Sequence, residues 1–85
     1  MPEISRFLGI VIRMYYSDHA PPHFHAFYGN YSVTIEIDSG VIAGWFPPRA
    51  LRHVLEWRRL HASDLRADWH RAELGLDLKP IDPLE

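Results

Sequence analysis

From Phe7 to Tyr16 the side chains alternate in character. Leu8, Ile10, Ile12, Met14 and Tyr16 fall on one side of an extended segment, and Phe7, Gly9, Val11, Arg13 and Tyr15 on the other. A period of two predicts a strand with a core face and a mixed face. Ser17 to Pro22 interrupts it, because two prolines remove backbone donors and push the residues before them out of the helical region. His23 to Tyr28 and Tyr31 to Asp38 are rich in aromatic and β-branched side chains and are separated by Gly29-Asn30. Two such residues between two strands predict a hairpin with a primed turn. With Tyr28 opposite Tyr31, Ala26 faces Val33 and Phe24 faces Ile35 on an apolar side. His25 faces Thr34 and His23 faces Glu36 on a polar one. Asp38-Ser39-Gly40 is a further turn, and Val41 to Phe46 a short last strand.

The period then changes. Pro47-Pro48 opens a helix, since the missing donor of a first-turn proline is unpaired in any case. Ala50, Leu51, Val54, Leu55, Trp57 and Leu60 form its apolar arc, opposite Arg49, Arg52, His53, Glu56 and Arg59. Arg58 falls inside the arc and is expected to run along its edge. Ser63 is expected to cap a second helix, Asp64 to Leu74, with Leu65, Trp69 and Ala72 on one face and Gly75 at its end. The pattern predicts an α+β fold, an antiparallel meander of three to four strands packed on one face by a C-terminal αα-hairpin. Residues 1–75 form the domain, residues 76–85 an extended arm, and the second sheet face is left uncovered.

Composition narrows the function. A chain of 85 residues with 47% hydrophobic and 24% charged residues has room for one core and only shallow clefts. The absence of cysteine excludes disulfides, thiolate zinc sites and thiol catalysis. No apolar run approaches the roughly 18 residues of a membrane span, and no signal-like leader precedes the domain, so a soluble cytoplasmic protein is expected. The net charge of −2 gives no global attraction to nucleic acid or anionic membrane. Its distribution is uneven: residues 49–71 carry six arginines against Glu56, Asp64 and Asp68, a net of +3 between acidic flanks. Arg49, Arg52 and Arg59 thus form a stripe suited to phosphate, as in RNA, unless Glu56 pairs with its neighbours and the stripe is only a solvated face.

Three of the six histidines, His19, His23 and His25, lie in one short segment. An H-x-H pair on a strand sends both imidazoles to the same face, roughly 7 Å apart at the backbone. Glu36, or His19, would complete a site for a divalent transition metal such as zinc. Without a metal, the same face offers His23, His25, Glu36, Arg13 and Tyr15 for acid–base chemistry. Imidazole, carboxylate and guanidinium are the groups that metal-independent RNA cleavage by the substrate 2′-hydroxyl requires. A cross-strand His–Glu pair, or an interface with another copy of the chain, uses the same residues without chemistry. His53, His61 and His70 sit singly on helices and suit packing or surface roles.

The runs Met1-Pro2-Glu3-Ile4-Ser5-Arg6-Phe7, Gly9-Ile10-Val11-Ile12-Arg13-Met14-Tyr15, Asp18-His19, Pro21-Pro22-His23-Phe24-His25-Ala26, Tyr28-Gly29, Leu55-Glu56-Trp57, Leu60-His61 and Ile81-Asp82-Pro83-Leu84 resemble the small bacterial proteins of the domain of unknown function 4160 family. Arg58-Arg59 departs from the family pattern, so the basic stripe is not carried by the resemblance. The resemblance implies a small protein partner of the domain of unknown function 2442 family and a toxin–antitoxin-like pair. It implies no activity.

Overall fold

The computed structural model describes residues 2–85. Its elements run β1 (Glu3–Phe7), β2 (Ile10–Arg13), β3 (His23–Tyr28), β4 (Tyr31–Glu36), β5 (Ile42–Trp45), α1 (Pro48–Leu60) and α2 (Ala62–Glu73). The fold is α+β, with one antiparallel sheet in the order β1-β2-β3-β4-β5. The sheet therefore has five strands, not the three to four expected from the alternation. The additional strand is β1, ahead of the expected Phe7–Tyr16 strand, which shrinks to Ile10–Arg13; Phe7 is buried and Leu8 exposed, the reverse of the expected alternation. Leu8 and Gly9 both take positive φ (52° and 78°) and fold the chain into a primed two-residue hairpin. Leucine pays a steric cost of about 1–2 kcal/mol in that conformation, so nothing about Leu8 marks a turn.

Between β3 and β4 the register is the one the Gly29-Asn30 turn dictates, His23 opposite Glu36 through Tyr28 opposite Tyr31. Ile10, Ile12 and Met14, Phe24 and Ala26, and Val33, Ile35 and Ile37 consequently share one buried face. The helices close it with Val54, Trp57, Leu65 and Trp69. Trp57 is fully buried, its ring 5.4 Å from Phe7 and 5.6 Å from Phe24 between centroids. The same pattern puts Arg13, His25, Phe27, Thr34 and Glu36 on the opposite face, half-buried.

Only His61 separates the helices. It caps α2 without a side-chain hydrogen bond, and Ser63 lies inside the first turn instead of capping it. Leu60, at the last position of α1, is exposed although it continues the apolar arc. At the other end of α2, Gly75 (φ 71°) donates its N–H to the Ala72 carbonyl and Leu76 donates to Arg71. This is the Schellman pattern of a left-handed glycine cap. Arg58 extends along the edge of α1 and donates to the Ile37 carbonyl beyond the end of β4.

Residues 76–85 carry no helix or strand, but they are tied down at several points. Ile81 is buried and donates its N–H to the Ile4 carbonyl at 2.7 Å, and the Trp57 indole donates to the Asp82 carbonyl at 2.8 Å. Asp68, 1% exposed, accepts from the Lys79 backbone N–H at 2.9 Å and from Arg71 at 3.0 Å through the same oxygen. An ionised acceptor in a buried place strengthens each of these bonds. Asp68→Ala should therefore lower unfolding stability by about 2 kcal/mol, with the denaturant dependence unchanged. Urea titration checks this, and a loss below about 0.5 kcal/mol would show that the tail does not depend on Asp68.

Candidate metal centre

After β2 the chain turns at Tyr16-Ser17, where Ser17 takes φ 60°, and Asp18 comes back over the start of β3. There the strand period aims His23 and His25 to one side, with ring centroids 5.3 Å apart. A single oxygen of Asp18, Oδ2, stands 2.9 Å from His23 Nε2 and 3.2 Å from His25 Nε2. The other oxygen, Oδ1, accepts the His19 backbone N–H at 2.9 Å and lies 3.1 Å from His19 Nδ1. Burial by itself would raise the Asp18 carboxyl. The His25 bond, the His19 N–H and the neighbouring His23 and His25 imidazoles together hold it below the ordinary value of 3.8.

The protonation pattern follows from the far side of His23. Its Nδ1 lies 2.8 Å from the Pro21 carbonyl oxygen, which can only accept, so Nδ1 carries the proton. In a neutral imidazole Nε2 then presents a bare lone pair to a carboxylate oxygen 2.9 Å away. Two acceptors at that separation need something between them, either a proton shared by His23 and Asp18 or a cation. A backbone carbonyl on the far nitrogen is also the usual outer support of a metal-bound histidine.

The spacing suits a cation. Ligands at about 2.0–2.1 Å around a tetrahedral ion lie about 3.3–3.4 Å from one another, a few tenths of an ångström more than the distances here. Ligand atoms from Asp18, His23 and His25 all lie within 4.8 Å of one another. Two imidazole nitrogens and one carboxylate oxygen form a donor set of intermediate softness, suited to zinc, cobalt, nickel or ferrous iron.

Aromatic rings enclose the cluster. Trp69 of α2 lies 5.3 Å from the His23 ring, and Tyr15 meets His25 edge-on at 4.5 Å. His23 is buried in consequence. A cleft of about 70 Å³ lined by Tyr15, Ser17, Asp18, Trp69, Ala72 and Glu73 opens beside the carboxylate, with room for water.

Of the residues singled out in the sequence, the structure brings together His23, His25 and Tyr15. His19 stays 85% exposed; it reaches the outer oxygen of Asp18, and its ring lies 5.3 Å from that of His23 between centroids. Glu36 stands opposite His23 in register, but its carboxylate accepts from the Ser39 hydroxyl at 2.7 Å. Arg13 pairs across the strands with His25 and lays its guanidinium 5.2 Å from the Phe27 ring centre. Arg49, Arg52 and Arg59 are exposed on α1, and none of them belongs to the Asp18–His23–His25 cluster or lines the cleft beside it. Glu56 pairs with none of them among the described residues, whose arginine ion pairs are Arg6–Glu3, Arg66–Asp38 and Arg71–Asp68. The residue missed in the sequence is Asp18. Its signal was a carboxylate just upstream of H-x-H across a Pro-Pro turn able to fold the chain back.

A family model described as Domain of unknown function (DUF4160) matches residues 9–70, which include Asp18, His23 and His25. No curated protein and no solved structure matches the chain.

Proposed function

We propose, for a chain that belongs to the DUF4160 family, that Asp18, His23 and His25 bind a divalent transition metal. The observation that carries this reading is the His23 ring, whose Nδ1–H is tied to the Pro21 carbonyl while Nε2 faces the Asp18 carboxylate. Burial of the imidazole makes an unshared negative partner costly, and a cation satisfies both groups at once. Three protein ligands beside an open cleft are the arrangement of a centre that keeps a position for water or substrate, where a zinc-like ion acts as a Lewis acid.

A second reading is favoured by the sheet edge at β5. All four residues of edge strand β5 are exposed, and Trp45 (61%) and Ile42 (40%) stand there with Val41 and Tyr31. An uncovered apolar edge is a template for another chain. We assign it to a small protein partner of the domain of unknown function 2442 family, in a cytoplasmic toxin–antitoxin-like pair.

Each reading has its test. Zinc or cobalt at a hundredfold excess over its dissociation constant should stabilise the protein by about 2.7 kcal/mol. For a domain of this size that raises the melting midpoint by about 10 °C or more. The effect should vanish in His25→Ala, and no stoichiometric metal with an unmoved midpoint would contradict the metal reading. For the second reading, co-expression with the small partner should give one co-eluting complex that Trp45→Lys disrupts. Two species that elute independently would contradict it.

A further inference from the structure

Arg13 is an arginine without a counter-ion beside a centre that already needs positive charge. Its cross-strand neighbours are His25 on β3 and Glu3 on β1. The Glu3 carboxylate is already engaged by Arg6 through two bonds of 2.7 and 3.0 Å. Arg13 forms no ion pair among the described residues, and its Nε is buried without a hydrogen-bond partner. The guanidinium is nonetheless held in place, 5.2 Å from the Phe27 ring centre, and Phe27 in turn stacks on His25 with planes 9° apart. Such a cation–π contact orients the group without neutralising it.

His25 and Phe27 are two positions apart on β3, so the guanidinium over Phe27 shares the sheet face of the metal ligands, roughly 7 Å along the strand from His25, with His23 two positions further on. The carboxylates on that face are spoken for, Asp18 by the histidines and Glu36 by Ser39. With a dication on Asp18, His23 and His25, the face carries two positive charges from the ion and one from Arg13 against two carboxylates, Asp18 and Glu36, since the Ser39 hydroxyl bonds Glu36 without neutralising it. The excess calls for an anion with oxygens for both the ion and the planar guanidinium fork, which is the geometry of a phosphate group.

We infer that the Asp18–His23–His25 metal centre and Arg13 together bind a phosphate-bearing ligand. This rests on the metal reading above and adds to it the class of ligand. A free phosphate, a phosphomonoester and the phosphodiester of RNA share the chemistry, and binding measurements distinguish them.

The test uses the full chain loaded with cobalt(II), whose visible spectrum reports its ligands. Inorganic phosphate and, separately, a short single-stranded oligoribonucleotide are titrated into wild type, Arg13→Gln and Arg13→Lys. Cobalt uptake and circular dichroism are read for each variant. Phosphate should perturb the cobalt spectrum of wild type, bind at least tenfold more weakly to an Arg13→Gln protein that still takes up one cobalt ion, and recover in part with Arg13→Lys. Tighter binding of the oligoribonucleotide than of phosphate identifies RNA as the source of the group. The reverse order identifies a free phosphate or phosphomonoester. Cobalt uptake with no phosphate or oligoribonucleotide binding, or with binding indifferent to Arg13, overturns this inference and leaves the metal reading standing. No cobalt uptake overturns both.

Discussion

The bond from His23 Nδ1–H to the Pro21 carbonyl fixes the chemistry of the site. It selects one tautomer and holds one ring orientation, so the other nitrogen must face Asp18. The Pro21-Pro22 segment places that carbonyl two residues before the imidazole it binds. The turn at Tyr16-Ser17 brings the carboxylate to the opposite side of the ring. A buried imidazole clamped in this way cannot relax by rotating, and its need for a shared proton or a cation is built into the fold.

The core makes that clamp stiff. Trp69 stands against the His23 ring because α2 is packed through Leu65 and Trp69, closed by its glycine cap and linked through Asp68 to the tail. Trp57 joins the same assembly from α1, reaching Phe7, Phe24 and the Asp82 carbonyl. Fold stability and site geometry are thus coupled through the helical hairpin, and looseness in the tail would be felt at the His23 ring. A site with two imidazoles on one strand, backed by a helix, keeps its ligand atoms closer to a fixed geometry than one carried on loops alone.

Much of the fold was legible because its signals are local. The Gly29-Asn30 turn and the strand alternation together gave the β3–β4 register, and hence the shared face of His23 and His25. The 3.6-residue spacing of Val54, Trp57, Leu65 and Trp69 gave the helical face. What escaped depends on tertiary context. Leu8 adopts a turn conformation that its side chain disfavours, and the strand pairing it closes compensates. Asp18 meets the histidines only because the chain reverses at a serine with positive φ, which composition does not announce. Register placed Glu36 correctly opposite His23, but a nearby Ser39 hydroxyl claims its carboxylate, and no pattern of strand residues shows such local competition.

The central claim is that one loop carboxylate and two strand imidazoles share a metal ion. X-ray absorption at the metal edge of the zinc- or cobalt-loaded protein tests it most directly. The expected spectrum has a first shell at about 2.0–2.1 Å, with the multiple-scattering signature of two imidazoles and with oxygen filling the rest. An all-oxygen shell without imidazole scattering, or one unaltered when His23 and His25 are both replaced, would contradict it.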